Sequence, residues 1–130
     1  MWHRGPRARE LVDELSRLDM PQAILTRNSK EMTQLALDRL ELRFSQVFTR
    51  EDGPPKPDPA GLLAICGNWR MAVDEVLFVG DYLFDLRCGR AAGVATVLYA
   101  PDGPPDYAHE ADFVIAHLDE ILPLARPAHR

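Results

Sequence analysis

The stretch EVLFVGDYLFDLRCG, residues 75–89, decides how the rest of the chain is read. Val76, Leu77, Phe78 and Val79 form a short apolar run stopped by Gly80, the pattern of a strand buried on both faces. Asp81 ends the run, and Asp85 follows one helical turn later. Two carboxylates at the mouth of a buried strand repel each other and are costly to desolvate, so something positive is expected beside them.

Outward from that stretch the chain alternates strands and helices. Upstream, Leu11, Leu15 and Leu18 mark an amphipathic helix from about residue 7, with Pro6 in its first turn. AILT (23–26) reads as a strand opening into a loop. Asn28 with Glu31 reads as the cap of the next helix, and Met32, Leu35, Ala36 and Leu40 as its buried stripe. QVFT (46–49) is a second strand. The Pro-rich loop EDGPPKPDP (51–59) leads to a helix capped by Asp58 and Pro59, running through Cys66 and stopped by Gly67. Downstream of VLFVGD a helix reaches about Ala92, and Gly93 stands where a left-handed cap is wanted. VATVLY (94–99) and DFVIA (112–116) are further strands, and a last helix covers 118–124. Strands that are apolar throughout and alternate with helices imply an α/β fold, a three-layer Rossmann-like, mainly parallel sheet. With no repeat and no dividing linker, residues 1–130 form one domain without a separate cap domain.

Composition narrows the function classes. A formal net charge of -5 gives no electrostatic reason to bind nucleic acid or anionic membrane. The basic start with Arg4, Arg7 and Arg9 lacks the apolar core of a signal peptide and reads as a solvated start of the first helix. No apolar run approaches the roughly 20 residues needed to cross a bilayer. Cys66 and Cys88 fall in helical patterns without metal spacing and read as small buried hydrophobes, which fits a reducing cytoplasm. His3, His109, His117 and His129 are scattered without ligand spacing.

Right-handed crossovers place the C-terminal ends of all parallel strands on one edge, where such sheets bind ligands. The polar residues that should converge there are Thr26, Lys56, Asp81 and Asp85. Taken singly, each has a structural role open to it: a strand-end hydroxyl, a loop lysine, a helix cap and a partner of the helix dipole. Together, a hydroxyl donor, a fixed cation and a pair of acids suited to Mg2+ are what phosphoryl transfer requires.

AILTRNS, KPDP and VLFVGDYLFDLRCGRAAGV, in this order and spacing, resemble the second, third and fourth motifs of the haloacid dehalogenase-like hydrolases, in the branch of phosphoglycolate-phosphatase-like enzymes. The resemblance implies Mg2+-dependent hydrolysis of a small phosphorylated metabolite through an aspartyl-phosphate. It implies that Thr26, with Asn28, holds the phosphoryl group, and that Lys56 neutralises it and the nucleophile. Asp81 would bind Mg2+, and Asp85 would support the metal site.

The family's first motif, DxDGT, is missing: no Asp is followed two positions later by another. Asp13 and Asp19, ahead of Thr26, do not end a buried strand, so the chain offers no nucleophile and is expected to be inactive alone. In the family the missing strand lies between the equivalents of AILT and VLFVGD. The expected core is therefore incomplete, with a gap or abnormal pairing there and open edges through which the chain could self-associate. Two readings follow: a shortened phosphatase chain, or a non-catalytic module that binds phosphate and Mg2+. A phosphorylated receiver domain fails on motif order, because its acidic residues should come before the Thr and Lys. A dinucleotide-binding domain fails because no GxGxxG follows a strand.

Overall fold

The computed structural model describes residues 6–125. The basic residue Arg4, His3 and His129 lie outside them. In chain order the elements are α1 (Pro6–Arg17), β1 (Ala23–Leu25), α2 (Lys30–Leu40), β2 (Gln46–Phe48), α3 (Ala60–Trp69), β3 (Leu77–Gly80), α4 (Leu83–Ala92), β4 (Ala95–Tyr99), β5 (Phe113–Ile115) and α5 (Ile121–Ala125). All strand pairs are parallel, and each strand ladder is crossed by helices, as apolar strands require.

The expected interruption is present. Among the described residues β1 pairs with β2 alone, while β3, β4 and β5 form a separate three-stranded sheet. Thr26 N–H donates to Phe48 O at 3.0 Å, so alternation along the strand turns the N–H and C=O of Leu25 away from β2, toward an edge on which no strand of the described residues lies. Helices hold the two half-sheets together where no ladder does. On one face α1 sends Leu11 and Leu15 to Val97 and Ile115, with Leu77 and Val79 alongside, and sends Val12 to Leu37, Leu42 and Val47. On the other face Leu62 and Cys66 of α3 pack with Cys88 and Ala92 of α4, and Leu25 and Phe78 join them from either side of the interruption. Alternate side chains of β3 thus feed opposite layers, as a strand period of two demands. Yet Leu77, Phe78 and Val79 are only half-buried, because one edge of their strand is open.

Several local expectations are corrected. The first helix buries Ala8, Leu11, Val12 and Leu15, while Leu18 lies past its end and is 39% exposed. Ser29, not Asn28, caps α2, its hydroxyl accepting from Met32 N–H at 3.1 Å. That cap sets a rotation in which Thr33 and Leu37 face inward and Met32, Leu35 and Ala36 face out, since Leu37 is the residue that reaches Val12 and Leu42. Thr33 can be buried because its hydroxyl donates to Ser29 O at 2.7 Å. Gly67 does not stop α3. The helix continues to Trp69 and closes on Arg70 in the left-handed region, while Gly93 caps α4 as expected, at φ 80°. Among the described residues no helix is long and apolar enough to cross a membrane.

Candidate active site

Lys56, in the loop between β2 and α3, carries the positive charge that the acids at the end of β3 called for. Its Nζ donates to Asp85 Oδ1 at 2.6 Å and to Leu25 O at 3.2 Å. The two side chains are 14% and 8% exposed, so Asp85 is buried and Lys56 is mostly covered. One ammonium therefore ties the end of β1 to the start of α4 across the interruption, occupying the Leu25 carbonyl that a neighbouring strand would otherwise use.

Asp85 does two things at once. Its Oδ2 accepts the N–H groups of Asp81 and Tyr82, both at 3.1 Å, which are the orphan donors at the start of α4. Tyr82, not Asp81, is the cap residue by backbone position, and the carboxylate that serves the helix comes from within its first turn. Gly80 makes room for this: a Cβ there would run into the Asp85 carboxylate.

Asp81 is exposed, and its carboxylate has no hydrogen bond or ion pair among the described residues. Its backbone carbonyl accepts the Tyr107 hydroxyl at 3.4 Å. Thr26 Oγ1 accepts Asn28 N–H at 3.1 Å, which leaves the hydroxyl proton of Thr26 available to a ligand oxygen. The Thr26–Asn28 loop is braced from the end of β2. Arg50 N–H donates to Asn28 O at 3.2 Å and Lys30 N–H to Glu51 Oε2 at 3.0 Å. Asp52 accepts from both the N–H and hydroxyl of Thr49, and the Thr49 N–H, ahead of Lys30, holds its carboxyl below the usual range.

The structure thus brings Lys56, Asp85 and the strand end bearing Thr26 together. Asp85 is engaged by Lys56 and by two backbone amides, whereas the Asp81 carboxylate faces solvent without a protein partner among the described residues. Among the described residues no three His, Cys, Asp or Glu side chains gather into a metal-binding group. The donor set fits a Mg2+ ion held by the Asp81 carboxylate and water, a coordination this ion accepts when a substrate phosphate completes it. Sequence reasoning missed the aromatic lip of the edge. Tyr82 stands edge-on to Phe84, with ring centroids 5.2 Å apart, and to Tyr107 at 5.8 Å, and the Arg27 guanidinium lies 5.0 Å above the Phe84 ring. The two rings inside GDYLFD were the visible signal, whereas Tyr107 arrives from a distant loop.

The profile of the haloacid dehalogenase-like hydrolases matches residues 3–99. The chain belongs to that family. A haloacid dehalogenase-like hydrolase domain-containing protein of Arabidopsis thaliana is 34% identical over 89% of the chain and 50% of its own length. A phosphoglycolate phosphatase of Pseudomonas savastanoi pv. phaseolicola is 30% identical over 91% of the chain and 46% of its own length. Among solved structures, a family hydrolase of subfamily IA from Geobacter sulfurreducens superposes with a TM-score of 0.77 at 32% identity, covering 91% of this chain and 54% of that one. A hydrolase from Pseudomonas syringae gives a TM-score of 0.82 at 25% identity, covering 95% and 60%. The chain falls in the phosphoglycolate-phosphatase-like branch of the haloacid dehalogenase-like hydrolases, and it spans about half the length of the curated relatives it matches.

Proposed function

We propose that these residues form the phosphate-holding side of a Mg2+-dependent phosphomonoesterase whose nucleophilic aspartate stands on a strand between β1 and β3. No residue of the 130 supplies that aspartate, so the chain by itself binds phosphate without hydrolysing it. The observation that carries this reading is Lys56: a partly buried ammonium with two of its three protons engaged, set at the open edge where such a carboxylate would end. Two unpaired parallel edges clamped between the same helices are also what an added strand requires. The same edges would accept a strand from a second copy.

In this reading Thr26 donates its hydroxyl proton to a phosphoryl oxygen, and Asn28 lines the same loop. Lys56 offsets the charge of the phosphoryl group and of the attacking carboxylate, while Asp85 positions Lys56 and the backbone of Asp81. Asp81 would hold Mg2+, which when bound neutralises charge on the phosphoryl oxygens. A carboxylate nucleophile divides hydrolysis into two steps: the ester oxygen–phosphorus bond breaks as the aspartyl-phosphate forms, and water then releases phosphate. The substrate is a small phosphorylated metabolite, in keeping with the names of the Pseudomonas relatives.

The test is restoration. A strand of the DxDGT pattern is joined ahead of residue 1 by a flexible linker, and release of p-nitrophenol from its phosphate is followed with Mg2+. Turnover that is lost on Asp81→Ala and on Lys56→Met is expected. A fusion in which the amides of β1 and β3 resist hydrogen exchange, yet no phenol is released, would overturn the reading.

A further inference from the structure

The aromatic lip stands outside the four hydrophobic clusters except for Tyr107, which packs beside Leu86 and Leu98. Tyr82 is 52% exposed, an unusual position for a ring held by two edge-on neighbours. Those neighbours fix its orientation, so a flat apolar surface is already formed next to Asp81, whose backbone carbonyl accepts the Tyr107 hydroxyl. The three rings alone would also suit a cationic leaving group, as aromatic cages do. Arg27 argues against that: it covers the Phe84 face, has no ion pair among the described residues, and brings a positive charge into the corner. A neutral or electron-rich ring is the complementary partner for a wall of ring edges and one guanidinium.

We propose that Tyr82, Phe84, Tyr107 and Arg27 form the subsite for the leaving group, and that it selects phosphate monoesters of planar aromatic alcohols. The inference rests on the phosphate-holding role proposed for Thr26 and Lys56, and it narrows the substrate class. A ring seated on Tyr82 gains a stacking contact that inorganic phosphate lacks, worth up to about tenfold in affinity.

Binding to the full chain is measured by titration calorimetry with Mg2+ present, using inorganic phosphate, phenyl phosphate and phosphoglycolate. Phenyl phosphate is expected to bind several-fold to tenfold more tightly than inorganic phosphate. That ratio should fall to about one in Tyr82→Ala and persist in Tyr82→Phe, which keeps the ring; a purely structural role for Tyr82 would change stability without changing the ratio. Equal affinities for the two in the unaltered chain, or phosphoglycolate binding more tightly than phenyl phosphate, would overturn this inference alone. Inorganic phosphate that fails to bind, or binds no less well after Lys56→Met, would overturn the phosphate-holding role as well.

Discussion

The ion pair between Lys56 and Asp85 sets a measurable scale for how much of the fold depends on the site. At 2.6 Å, and with an effective dielectric constant of about 20, the gross attraction is about 6 kcal/mol. Most of it is offset by taking both charges out of water, since the side chains are 14% and 8% exposed. Removing one partner leaves the other buried without compensation, at a cost of about 3–5 kcal/mol. Asp85→Asn is the informative change, because its amide oxygen can still accept the Asp81 and Tyr82 N–H groups while the charge opposite Lys56 disappears. With a urea slope of about 1–3 kcal/mol/M, the unfolding midpoint should fall by about 2 M. Lys56→Met should cost less, because the Asp85 carboxylate keeps two backbone donors. The double variant should be more stable than the sum of the single effects by about 1.5–3 kcal/mol. Single effects that add to within about 0.5 kcal/mol would show that the pair contributes nothing as a pair, and would refute the reasoning.

Other expectations follow from individual contacts. Gly89→Ala would drive a Cβ into Thr96 Cγ2, where α4 lies on β4, and should destabilise by about 1–3 kcal/mol in thermal unfolding; a neutral effect would contradict that packing. Ser29→Ala removes the cap of α2 and should cost about 1 kcal/mol in the same measurement, whereas Asn28→Ala should cost much less. Cys88, fully buried with its thiol donating to Asp58 O at 3.4 Å, has its pKa pushed up to about 11, mainly by burial. The folded state thus favours the neutral thiol, a contribution to stability present below about pH 9 and lost as pH rises through about 11. Iodoacetamide at pH 8 should label it far more slowly than a free thiol, and equal rates would contradict its burial.

Much of this was legible in the sequence, for definable reasons. Short, uniformly apolar runs fixed the strands, because a parallel strand covered on both faces tolerates little else. The interruption between β1 and β3 was legible because a missing motif removes a whole strand. The rotation of α2 was not, since Met32, Leu35 and Ala36 match a helical stripe as well as Thr33 and Leu37 do, and only packing against Val12 and Leu42 chooses between them. At the site, the acids and the lysine were visible, but their division of labour was not. GDYLFD makes the two carboxylates look alike, and only the fold shows that Lys56, 29 positions from Asp85 in sequence, pairs with that one and not with Asp81. The aromatic lip needed Tyr107, which no local pattern connects to Tyr82.

The most direct test of the central claim is p-nitrophenyl phosphate hydrolysis by the 130-residue chain with Mg2+, read beside Asp81→Ala. The expected result is no p-nitrophenol release above that variant, as follows if the proposed phosphate-holding site has no nucleophile of its own. Turnover by the unaltered chain that disappears in Asp81→Ala would contradict the claim, since a nucleophile would then have to lie among these residues.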